Sequence, residues 1–133
     1  MAGETDLEVL LRTMGPRLRE EPYVFCSVDE ATYARLPVAP LGMFREDEGV
    51  SLIVSQAQAD AAGLPYDERW ACISLSVHSA LAAVGLTAAV SARLAAVGLS
   101  ANVVAAYYHD HVFVPWERRA EALAALESAG RPR

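Results

Sequence analysis

Three short stretches hold the residue types and spacings that could do chemistry. His78-Ser79 sets an imidazole beside a hydroxyl, a few residues ahead of Gly85. His109-Asp110-His111 places two imidazoles in an i, i+2 relation around a carboxylate, a pattern that could chelate a metal. Ser100-Ala101-Asn102-Val103 carries one amide among apolar neighbours. A base with its nucleophile, a metal site and a ligand-holding loop are the corresponding chemistries.

Each has a plainer reading. Neighbours in sequence rarely aim a base at a nucleophile, and no G-x-S-x-G elbow surrounds Ser79. A polar pocket wall suits His78-Ser79 better, and an exposed histidine beside a capping serine suits it equally well. Asp110 is by type a turn-shaping residue, and the chain offers no clear further ligand, so a hairpin turn at 109–110 is the reading adopted. A small metal-dependent enzyme using His78, His109, Asp110 and His111 is the alternative. Gly85, standing where a helix should begin, lets backbone amides approach a small anionic or zwitterionic ligand closely.

Absences exclude more than the motifs include. All eleven cationic residues are arginine, so Schiff-base chemistry, a phosphate-loop lysine and a lysine general base are ruled out. Cys26 and Cys72 fall in separate predicted strands and read as small buried residues, with no second pair to complete a zinc site. A net charge of −6 argues against nucleic acid, whose binding needs a clustered basic surface. No apolar run reaches the length of a membrane span, and the acidic start Met1-Ala2-Gly3-Glu4-Thr5-Asp6 lacks an apolar signal region, which favours the cytoplasm. No catalytic residue, metal or cofactor is assigned.

The elements that must position these stretches follow from periodicity. Thr5-Asp6-Leu7-Glu8 fits a capping box, and a helix follows it to Met14, ended by Gly15-Pro16. Tyr23–Val28 is a strand, and Asp29 caps a short helical turn through Tyr33. A hairpin of 43–45 and 50–54 turns through Glu46-Asp47-Glu48-Gly49. Ser55-Gln56-Ala57-Gln58 is a second capping box, and its helix stops at Gly63. From Trp70 to Val77, Ala71, Ile73, Leu75 and Val77 alternate with Trp70, Cys72, Ser74 and Ser76. Leu86, Val90, Leu94 and Val97 form a helical stripe ended by Gly98. Asn102–Tyr108 and His111–Val114 make a hairpin, and Pro115 starts a last helix with Trp116, Ala120, Leu123 and Leu126 on one face.

The order is then α-β-β-β-α followed by β-α-β-β-α. The second series is most of a βαββαβ unit, and Gly130-Arg131-Pro132-Arg133 cannot supply its last strand. Unpaired sheet edges are a liability, so two incomplete units are expected to exchange strands, within the chain or with a second copy.

Val84-Gly85-Leu86-Thr87 resembles the Pro-Gly-apolar helix start of ACT domains, and Ala96-Val97-Gly98-Leu99-Ser100-Ala101-Asn102-Val103 resembles their helix end and following strand. Gly3–Leu7, Tyr23–Cys26, Gln58–Leu64 and Tyr107–Pro115 are similar to small stand-alone bacterial ACT proteins, which are tandem, strand-exchanged pairs related to CASTOR-type sensors and the aspartate kinase regulatory pair. The resemblance implies an α+β fold of two ferredoxin-like βαββαβ units, divided here at 1–66 and 67–133. It implies a non-catalytic regulatory module that binds a small molecule, with amino acids the usual ligands, forms a homodimer and signals to a protein partner. The ligand would meet Val77, His78, Ser79, Val84, Gly85, Leu86, Thr87, Ala101, Asn102 and Val103. Val84 replaces the usual proline, and the loop from His78 to Ala83 is longer than the family's. A dimerisation module without ligand is the remaining alternative.

Overall fold

The computed structural model describes residues 14–76 and 83–128, with the backbone alone for Ala83, Val84 and Ser128. In chain order the elements begin with β1 (Pro16–Leu18), β2 (Tyr23–Val28), α1 (Glu30–Arg35), β3 (Gly42–Glu46), β4 (Gly49–Ser55) and α2 (Gln56–Ala62). They continue with β5 (Trp70–Leu75), α3 (Ala83–Ala96), β6 (Asn102–Ala105), β7 (Asp110–Pro115), a 3-10 turn (Trp116–Arg118) and α4 (Arg119–Ser128). The chain divides into two compact bodies, one of residues 20–70 and one that joins the segment ending at Arg19 to the segment beginning at Ala71.

The body of residues 20–70 is built around β4, which pairs with β2 and β3 in antiparallel register. Aromatic and β-branched residues make β2 a strand, and Val24 and Cys26 point into a core with Val50, Leu52 and Val54. Asp29 caps α1 by accepting the Thr32 N–H at 2.7 Å. Ser55 and Gln58 complete the predicted capping box at α2, the serine accepting from the Gln58 N–H and the glutamine from the Ser55 N–H, both at 3.1 Å. Gly63 ends α2 with φ of +69°, a conformation that disfavours side chains. At the β3–β4 hairpin, a Cβ on Gly49 would sit 2.6 Å from the Val28 carbonyl oxygen, so the close approach of two backbones requires glycine there.

The other body has the same β-α-β-β-α series, β5-α3-β6-β7-α4, with sheet order β1-β5-β7-β6. Its missing strand comes from the far end of the chain. β1 pairs antiparallel with β5, placing Pro16, Arg17 and Leu18 opposite Leu75, Ser74 and Ile73. The Ser76 N–H extends the ladder to the Met14 carbonyl at 2.8 Å. One strand of the expected exchange is therefore supplied within the chain, by β1. Ala71, Ile73, Leu75, Val112 and Val114 cover one face and pack on Leu86, Val90 and Leu94 of α3 and on Ala122 and Leu126 of α4. At the end of α3, Gly98 (φ +75°) and Leu99 return hydrogen bonds to Ala95 and Leu94 at 2.9 and 3.0 Å. Arg118 then donates to the carbonyls of Val97 and Gly98 at 2.8 and 3.0 Å.

Several expectations need correcting. No strand was expected between Gly15 and Tyr23, yet β1 forms there, with proline at its permissive first position. The first series contains a helix, α1, between its first two strands, so it too reads β-α-β-β-α. Val97 lies beyond the end of α3 and is 37% exposed, so the buried stripe stops at Leu94. Pro115 ends β7 rather than opening a helix, and the 3-10 turn that follows shifts the phase of α4. Ala120 is consequently exposed, and Ala122 and Leu126 carry the buried face. The expected N-terminal helix lies outside the described residues except for Met14, which is fully buried.

Candidate functional site

The start of α3 and the start of β6 are held by one core. Leu86 belongs to the buried cluster, and Ala101 and Val103 pack against that same cluster from the edge of the sheet. Gly85 is the third residue of α3 and is exposed, and Thr87 is half-buried. The first turn of α3 contains no acidic residue. A carboxylate in that turn would compete with an incoming anion for the N–H groups and the positive dipole end, so its absence suits one.

Side-chain directions refine the expected site. Leu86 and Val103 face the core, so they can meet a ligand only through their backbones. Asn102 is exposed, pairs with Phe113, and alternates with Ala101 and Val103, which places its side chain on the other face of the sheet. β6 is the last strand of the order β1-β5-β7-β6, so one row of its backbone groups faces no neighbouring strand of this body. Val77, His78 and Ser79 lie outside the described residues, as does the side chain of Val84.

The hairpin at 109–111 differs from the expected turn. β6 ends at Ala105, the chain turns through Ala106, Tyr107, Tyr108 and His109, and the Ala106 N–H donates to the His109 carbonyl at 3.0 Å. Asp110 is therefore not the turn residue but the first residue of β7, opposite Ala105. His111 is half-buried, with its Nδ1 2.8 Å from the Ser74 hydroxyl. Burial first, and then the charges of Arg19 and His109, hold its pKa below the ordinary 6.5, with Asp110 opposing them weakly. One imidazole nitrogen of the supposed chelate is thus engaged by a serine. Among the described residues no three His, Cys, Asp or Glu side chains gather as metal ligands would.

The Ser74–His111 pair was not foreseen, although the alternation of β5 had put Ser74 on the face away from the core. Cys72 lies on that face, fully buried, with Ser74 Oγ 4.0 Å from its sulfur. Burial raises the thiol pKa, and both cysteines are free and buried, as expected of small apolar residues. In the body of residues 20–70, an open groove of about 380 Å³ runs between α2 and the Pro37–Ala39 segment. Gln58 is the only polar side chain lining it, and the Gln58 amide is already engaged with Ser55 and the Ala39 carbonyl.

Two family models, both described as ACT domain, match residues 2–71 and 66–128. The chain is similar to a Vibrio cholerae protein of unknown function, described as a possible transport protein, at 44% identity and a TM-score of 0.84 over 97% of this chain and 99% of that one. It is similar in fold to an Agobacterium tumefaciens protein at 19% identity and a TM-score of 0.71, covering 86% and 87% of the two chains. The regulatory subunit of aspartate kinase from Thermus flavus shares the fold at 14% identity and a TM-score of 0.68, covering 90% and 99%. No curated protein matches the chain.

Proposed function

The chain belongs to the ACT-domain family, and from that premise we propose that it is a non-catalytic regulatory protein that binds a free amino acid. The observation that carries this reading is the pair of ACT matches in tandem, which together account for nearly the whole chain. The fold shared with an aspartate kinase regulatory subunit is consistent with it. A free amino acid presents a carboxylate and an ammonium a short distance apart, and the site offers complements to both. The amides at Gly85 and Leu86 hold the carboxylate at the N-terminus of α3, whose first turn has no acidic residue. Backbone carbonyls at Ala101–Val103, on the edge strand, receive the ammonium. The His78-Ser79 loop, with Val77 and Thr87 beside it, selects the side chain.

The protein works as a homodimer in the cytoplasm and passes ligand occupancy to a protein partner. Two buried free thiols suit a reducing compartment. A thermal-shift screen of the full chain against the twenty amino acids and a set of divalent cations tests the reading, because a ligand bound only by the folded state raises its melting temperature. At least one amino acid is expected to raise it in a saturable way. A response to metals alone would favour the enzyme alternative, and no response to either would leave a dimerisation module.

A further inference from the structure

A second cluster lies on the face of the β1-β5-β7-β6 sheet opposite the one that carries Ile73, Leu75 and Val112, the face on which Cys72 and Phe113 are buried. Arg17 stands opposite Ser74 in the β1–β5 register, so both side chains project from one face. Arg19 is two residues further along the same chain, its N–H bonded to the Cys72 carbonyl at 2.9 Å, and so shares that face. The Ser74 hydroxyl meets His111 Nδ1 from the neighbouring strand at 2.8 Å. The positive charge of Arg19 lowers the pKa of the His111 ring, and lowers that of the Cys72 thiol against the larger effect of burial. The residues that alternate with these, Leu18, Ile73, Leu75 and Val112, all belong to the core or pack on it.

Both arginines are exposed, and among the described residues neither forms an ion pair. Two like charges on alternate positions of one strand repel each other, and an anion between them removes that cost. Guanidinium forks match the planar geometry of a carboxylate or the oxygens of a phosphate. When Ser74 donates to Nδ1, the His111 ring proton sits on Nε2 and offers a further donor.

We propose that this face binds a small oxyanion, the carboxylate or phosphate group of a soluble metabolite, gripped by Arg17 and Arg19 with Ser74 and His111 beside them. The site is independent of the amino-acid site at α3. It exists only when β1 has docked on β5, so its ligand stabilises the exchanged strand and can report on it.

The test is a 1H–15N NMR titration of the full chain with inorganic phosphate and, separately, with succinate, at constant ionic strength held by chloride. Saturable shifts centred on Arg17, Arg19, Ser74 and His111 are expected for at least one of the two, and the tighter binder identifies which oxyanion chemistry the face takes. Arg17→Gln with Arg19→Gln should weaken binding at least tenfold. Shifts that grow linearly and match those from chloride, or affinity unchanged in the double variant, would overturn the proposal. If that variant loses its β1 signals, Ser74→Ala with His111→Gln decides, because it leaves β1 untouched. Several-fold weaker binding supports the site, and equal binding refutes it.

Discussion

The two bodies share the series β-α-β-β-α and treat their polar groups in opposite ways. In residues 20–70, Asp29 caps α1, Ser55 and Gln58 cap α2 reciprocally, and Gln56, Tyr66 and Asp60 form a chain of hydrogen bonds at 2.9 and 2.8 Å. The groove beside α2 is lined by small apolar residues and one engaged amide. In the body completed by β1, α3 starts without an acidic residue in its first turn and two arginines stand without ion pairs among the described residues, while each body has an edge strand, β3 in one and β6 in the other. Two copies of one topology thus differ: a closed body whose helix starts are capped by its own side chains, and an open body in which Arg17 and Arg19 stand without carboxylate partners among the described residues.

Substitutions can break or sharpen this contrast. The largest effect is expected from Leu94→Ala, because the Leu94 side chain is fully buried in the core of the open body. A loss of about 2–5 kcal/mol in urea denaturation follows from the emptied volume. Gly49→Ala comes next, at about 1–3 kcal/mol, since its Cβ would meet the Val28 backbone oxygen, which cannot rotate away. Gly63→Ala, with open space around the added carbon, should cost only the left-handed strain of about 1–2 kcal/mol. Equal losses in the two glycine variants would show that the close approach at Gly49 carries no weight.

Ser55→Ala removes one half of the α2 capping box and should cost about 0.5–2 kcal/mol by the same assay. It should leave ligand affinity unchanged, because it touches only the closed body. The smallest effect is electrostatic. Since His111 titrates below its ordinary 6.5 in the folded state, the unfolded chain takes up the proton first as pH falls. Its contribution is complete above pH 6.5 and is lost as pH drops through the folded pKa, so His111→Gln should flatten the fall of stability as pH drops below 6.5.

What was legible in the sequence was local. The strand at Tyr23–Val28, the capping box at Ser55, the stops at Gly63 and Gly98 and the alternation of Ala71, Ile73 and Leu75 each depend on neighbours within a few residues. Pro16-Arg17-Leu18 was not legible, because three residues carry no period and their reason to be a strand is β5, far along the chain. Tyr107 and Tyr108 read as strand from their aromatic type, yet the bond from Ala106 to His109 closes the turn around them. The pairing of Ser74 with His111 depends on which strands become neighbours, which composition does not encode. At the candidate site, the glycine and the lack of acids at the start of α3 could be read directly, whereas the outward direction of Asn102 needed the packing of Ala101 and Val103.

The ligand is proposed to bind the open body, at the start of α3. Isothermal titration of an amino acid found in the thermal screen, into wild type, Gly85→Ala and Gly63→Ala, tests it most directly. Gly85 lies within a helix, so alanine there should raise stability by up to about 1 kcal/mol while its added carbon obstructs the amides. Binding at least tenfold weaker is expected in Gly85→Ala, with wild-type affinity in Gly63→Ala. Wild-type affinity in Gly85→Ala, with binding lost in Gly63→Ala, would place the ligand in the other body and contradict the proposal.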